Sequence, residues 1–187
     1  MSSQSVGEIK RQRILVAASQ ILVSEGFSAV THRAVAELAG VPLGSTTYHF
    51  TDKSELILGA LKHLIEEERL RRLAVDAPVN PSIDQIASFL FELFLPTQFR
   101  SKKKLGLVFE RLVEASRNVE VKKLVAKDQK ELSALVNGHL MTWGIDVKAD
   151  LAQAVFDGRA LQWLNSEQTL EVFKQAFLED LNRLVRG

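Results

Sequence analysis

Residues 31–50 read Thr31-His-Arg-Ala-Val-Ala-Glu-Leu-Ala-Gly40-Val-Pro-Leu-Gly-Ser-Thr-Thr-Tyr-His-Phe50. The spacing of Val35, Leu38 and Ala39 predicts a helix that buries these three, opened by Thr31 as N-cap and closed by Gly40. A short helix follows from Pro42 to Tyr48 or Phe50, with proline in the first turn, where its missing N–H costs nothing. Two short helices joined at a glycine form a helix-turn-helix pattern, whose second member lies in a DNA major groove. Val35, Ala36 and Val41 are expected to lock the pair together. Leu43, Gly44, Ser45, Thr46 and Thr47 are expected to face outward, small enough for close approach and able to bond bases or phosphates.

On the N-terminal side, Ile14, Ala17, Ala18, Ile21 and Leu22 form one stripe of a helix over about 8–25, capped by Gly26. On the C-terminal side, Asp52 and Glu55 make a capping-box-like start to a fourth helix that carries Leu56, Ile57, Ala60, Leu61, Leu64 and Ile65 and reaches Leu73. Asp76 to Pro81 breaks helical continuity. Five more helices follow, near 82–95, 102–117, 119–143, 147–165 and 167–185, separated by Pro96, Asn118, Gly144 and Asn165-Ser166. The fold class is therefore all-α with about nine helices: a three-helix head over 1–52, a connecting helix over 52–73, and a helical body over 74–187.

Composition excludes more than it identifies. The 187 residues contain no cysteine, which removes disulfides, thiolate metal sites and thiol nucleophiles together. No HExxH, P-loop or GxSxG pattern accompanies the four histidines, so no enzyme, metal or cofactor is expected. No apolar stretch is long enough for a signal core or a membrane span, and a cytoplasmic location is expected. Net charge is +1, and residues 1–60 balance five basic against five acidic side chains, so overall charge does not argue for DNA.

The runs Arg13-Ile-Leu-Val-Ala-Ala18, Glu25-Gly-Phe27, Thr31 to Ala36, Ala39 to Phe50 and Asp52-Lys53 together resemble the head of the tetracycline-repressor-like (TetR) family, over roughly residues 10–60. The resemblance implies a transcriptional repressor that binds a palindromic operator in double-stranded DNA as a homodimer and is released by a small-molecule inducer. It makes the third helix the recognition helix. Thr31 and His32 would meet a phosphate, Thr31 also serving as N-cap, and Arg33 would contact backbone or base. Tyr48 and His49 would approach the DNA backbone, with Phe50 turned inward. Lys53 sits at a helix start, unfavourable for a cation by dipole reasoning, and a phosphate partner or simple exposure would explain it. Lys10, Arg11 and Arg13 either follow the sugar-phosphate backbone or form a solvated face. Arg100, Lys102, Lys103 and Lys104, outside the motif, read as a solvent-exposed loop.

The homodimer is expected through the last two helices, by stripes of Leu151, Val155, Leu161 and Leu164 on one and Leu170, Phe173, Phe177, Leu181 and Leu184 on the other. The small-molecule effector is unknown. Phe109, His139 and Trp143 are the candidates to meet it, His139 and Trp143 sharing one helix face. The competing reading is an architectural or activator protein without a small-molecule switch.

Overall fold

The computed structural model describes residues 5–186. Among these residues the chain forms nine α-helices and no strand: α1 (Val6–Glu25), α2 (His32–Ala39), α3 (Leu43–His49), α4 (Lys53–Leu73), α5 (Ile83–Phe94), α6 (Lys102–Arg117), α7 (Val119–Thr142), α8 (Ala149–Leu164) and α9 (Leu170–Arg186). Short 3-10 turns at Phe27–Ala29 and Thr97–Phe99 were not anticipated from the sequence. The outermost residues of the expected head and body ranges, 1–4 and 187, lie outside the described residues.

Local chemistry sets most helix ends. Ser5 opens α1 with a reciprocal capping box, its hydroxyl accepting from the Glu8 N–H and the Glu8 carboxylate accepting from the Ser5 N–H at 2.9 Å. Ser82 and Gln85 repeat the device at α5. At α4 the expected box is only half formed. Asp52 accepts from the Glu55 N–H at 2.8 Å, but Glu55 turns to the N–H and hydroxyl of Thr51. Those two bonds, backbone first, hold the Glu55 carboxyl below its usual range. Lys148, the residue before α8, has no acceptor to offer; Asn137 of α7 takes its place and accepts from the Ala149 N–H at 2.8 Å.

Two compact units result, neither contiguous in sequence. The first comprises residues 1–67 and 107–125, the second 68–106 and 126–187. In the first, α1 presents Ile14, Leu15, Ala18, Ile21 and Leu22 to Val35, Ala36 and Phe50, and α4 adds Leu56, Ala60, Leu61 and Leu64 to the buried set. The stripe expected on α2 needs one correction. Leu38 is 52% exposed, because Val35, Ala36 and Ala39 alone fill the narrow inner face of an eight-residue helix.

In the second unit, α5 and α8 pack on α9 around a cluster of phenylalanines. Phe91 lies 5.2 Å from Phe173 and 5.9 Å from both Phe156 and Phe177, and Phe94 closes the group 5.4 Å from Phe156. The Trp163 ring stacks on Phe173 at 5.2 Å, and its N–H donates to the Gln168 carbonyl at 2.9 Å. Edge-to-face and offset ring pairs contribute about 0.5–1.5 kcal/mol each beyond their buried area. The stripe expected to join a partner on α9 is corrected here: Phe173, Phe177 and Leu181 are fully buried in the chain's own core.

The basic run at 100–104 is also not a free loop. Arg100 pairs with Glu92, and Lys102 begins α6, donates to the Ser166 carbonyl and lies 5.8 Å over the Trp163 ring. A guanidinium clamp, Arg159 to Asp180, ties α8 to α9. Arg72 at the end of α4 reaches the Asp128 carboxylate of α7 at 2.6 Å and Glu68 at 3.3 Å, all three groups buried.

Candidate nucleic-acid interface

The Thr31 hydroxyl accepts from the Ala34 N–H at 3.1 Å, so its cap role is filled within the chain. Gly40 closes α2 with φ +61°, the left-handed conformation that glycine adopts without penalty. The Val41 N–H then reaches the Ala36 carbonyl at 3.0 Å and the Gly40 N–H the Glu37 carbonyl at 3.2 Å, a Schellman-type ending. Pro42 starts α3 just outside the helix, its carbonyl accepting from the Ser45 N–H at 2.8 Å.

Helix α3 divides into two faces. Leu43, Gly44, Thr47 and Tyr48, at one-turn spacing, are exposed, Tyr48 by 83%. A Cβ at Gly44 would meet nothing within 4 Å, so packing does not demand glycine there. Thr46 and Phe50 form the inner face, both buried. Thr46 therefore corrects the expectation of an outward hydroxyl. Its Oγ1 donates to the Leu43 carbonyl at 2.7 Å, which satisfies the polar atom and lets its methyl join the core. Ser45 is half-buried, and so is His49, whose ring meets Tyr48 edge-on at 5.1 Å.

Around this face, Arg33 is exposed and His32 half-buried, its Nδ1 enclosed without a hydrogen-bond partner. Lys53 is exposed and donates to the Ser28 carbonyl at 2.9 Å, closing the 3-10 turn after α1. The α1 arginines are not a plain solvated cluster. Arg13 Nη2 donates to the Ala39 carbonyl at 2.7 Å and to Gly40 at 3.4 Å, and the Arg11 guanidinium lies 5.3 Å over the Phe50 ring. Sequence reasoning missed both links, because a contact across 26 residues leaves no local pattern.

Residues 14–60 match the model of the bacterial regulatory proteins of the tetR family. That stretch, from α1 into α4, is a TetR-type head. A relative, the HTH-type transcriptional repressor BepR of Brucella suis biovar 1 (strain 1330), is 25% identical over 177 residues, 87% of this chain and 84% of the relative. The multidrug binding protein EbrR, solved with proflavin, superposes with a TM-score of 0.68 at 29% identity over 94% of this chain and 99% of its own. A transcriptional regulator from Rhodococcus sp. Rha1 shares the fold with a TM-score of 0.75 at 22% identity, covering 98% and 97% of the two chains. The chain thus carries a TetR-type helix-turn-helix, and the relatives it resembles are transcriptional regulators rather than enzymes.

The body candidates fall in different places. In the second unit His139 stacks on Trp143 at 5.4 Å, and Phe89 meets both edge-on at 4.9 and 5.3 Å. Phe109 is half-buried on the part of α6 that belongs to the first unit, outside this trio. Phe91, Phe94 and Trp163 belong to the phenylalanine cluster. A cleft of about 390 Å³ opens beside α5, lined by apolar Val75, Pro78 and Phe89 and by acidic Asp76, Asp84 and Glu92. No helix among the described residues is long and apolar enough to cross a membrane.

Proposed function

We propose that the chain is a ligand-responsive TetR-family repressor that binds a palindromic operator as a homodimer and leaves it when a small molecule enters the body. The observation that carries the reading is the outward face of α3: Leu43, Gly44, Thr47 and Tyr48 stand exposed on a helix held from behind by Thr46 and Phe50. An exposed aromatic and a leucine on a seven-residue helix have no use in the chain's own packing. Thr31, His32, Arg33, Ser45, His49 and Lys53 flank that face in sequence and complete the proposed contact set, and a cytoplasmic location is part of the same proposal.

One helix-turn-helix buries too little surface for tight operator binding, and two-fold pairing doubles it. The outer face of α8 supports such a pairing. Leu151, Ala154, Gly158 and Leu161 recur at three- and four-residue steps, all exposed, and Val172 of α9 is exposed too. Residues 1–52 would then be the reading head, α4 the connection and residues from 74 onward the body. Phe109, His139 and Trp143 remain the proposed effector contacts. The proflavin held by EbrR makes planar aromatic dyes the first probes for them.

Selection of bound DNA from a random pool tests the proposal. A two-fold symmetric consensus, bound by a dimer in sedimentation and released by an effector, is the expected result. Recovery of no preferred sequence would overturn it.

A further inference from the structure

We infer that Arg13 is a positioning residue for operator recognition: from α1 it clamps the C-terminal carbonyls of α2 and so fixes the turn that aims α3. The inference rests on the DNA-binding reading above and adds a residue that need not touch DNA to serve it.

Helix α2 has eight residues, too few to be stable alone, so its ends decide whether it holds its shape. Its C-terminus carries the negative end of the helix dipole and carbonyls without helical partners. The last turn contains no basic residue of its own. Arg13 supplies the missing cation from another helix, with Nη2 2.7 Å from the Ala39 carbonyl and 3.4 Å from that of Gly40. Ala39 is the last residue of α2, and Gly40, left-handed at φ +61°, is where the chain turns toward α3. Two residues earlier on the same helix, Arg11 lies over Phe50, the residue that ends α3. Neighbouring arginines of α1 thus hold both the turn and the far end of the recognition helix. A charge-assisted bond to a backbone carbonyl is short and directional, and it constrains an angle as well as a distance.

The test uses the full chain carrying Arg13→Met or Arg13→Lys, with the operator recovered by selection and calf-thymus DNA as non-specific competitor. For Arg13→Met the expected result is about a tenfold loss of operator affinity, with non-specific affinity within about twofold of wild type. The salt dependence of operator binding stays unchanged, because no phosphate contact is removed. Amide exchange at Gly40 and Val41 quickens about tenfold, while amides in α8 and α9 do not change. Lysine, which keeps the charge and a donor nitrogen but not the planar fork, restores much of both effects.

Equal loss of operator and non-specific affinity, with the salt slope reduced by about 0.9, would make Arg13 a phosphate ligand and overturn the proposal. Unchanged exchange at Gly40 and Val41 would overturn it as well. The exchange measurement needs no DNA, so it judges the clamp even if selection yields no operator and the functional reading fails.

Discussion

Arg159 of α8 and Asp180 of α9 meet through two parallel hydrogen bonds, Nε to Oδ2 at 2.5 Å and Nη2 to Oδ1 at 2.9 Å. Arg183 adds a weaker approach to the same carboxylate at 3.5 Å. The Arg159 bond holds the Asp180 carboxyl below its ordinary value of 3.8. A carboxyl lowered on folding stabilises fully above its unfolded value and loses that contribution as pH falls through the folded one. Asp180→Asn is therefore expected to cost about 1 kcal/mol near neutrality, the upper range for a partly exposed pair. In urea unfolding the gap between variant and wild type should close as the pH is lowered below that of the free acid. A gap that persists at the acid end would contradict the assignment.

Arg72 presents a harsher case. Replacing it by methionine takes from the buried Asp128 carboxylate the cation that meets it at 2.6 Å. The expected loss is about 3–5 kcal/mol, well above that for Asp180→Asn. Chemical denaturation of the two variants side by side checks the ranking.

Tyr48 and Thr46 should separate binding from folding. Tyr48→Ala removes an 83% exposed ring, so stability should move by no more than about 0.5 kcal/mol. Operator affinity should fall by about 1–3 kcal/mol, the scale of a specific contact. Thr46→Ala, by contrast, removes a buried methyl and the bond to the Leu43 carbonyl, and should lower the melting temperature first. Thermal unfolding and gel-shift titration of both variants distinguish the roles. Equal affinity losses at equal stability would place Thr46 on the DNA side after all.

Gly26 ends α1 at φ +89° and ψ −179°, a region essentially reserved for glycine. A methyl there would also lie 2.7 Å from the Glu110 carboxylate and 3.1 Å from Leu107. Gly26→Ala is expected to destabilise by about 2 kcal/mol or more. Glu110→Ala in the same chain should recover the part due to crowding and leave the part due to backbone strain, as a double-mutant cycle in urea would show.

The helices were legible because their signals are local. Thr31 and Gly40 lie at the ends of one helix, and Ser82 with Gln85 at the start of another, where a few residues suffice to specify the outcome. The outward α3 face was legible for the same reason, with one exception. Threonine carries both a methyl and a hydroxyl, and only the bond from Thr46 back to Leu43 decides which governs. What required the fold was partnership over distance: Arg13 with Ala39, Lys102 with Ser166, Arg72 with Asp128. Apolar spacing on α9 showed that Phe173, Phe177 and Leu181 face something apolar, but identical spacing serves a chain's own core and a second copy alike.

The aromatic packing of the body has a practical consequence. The chain has two tryptophans, and they sit in unlike surroundings: Trp163 wedged against Phe173 beneath a lysine, Trp143 half-open beside a histidine. Nature has thereby installed two separate optical reporters, one tuned to the integrity of the core and one to events near His139. Phenylalanine at either position would leave a single emitter, letting a dye or drug be titrated by fluorescence with no label attached.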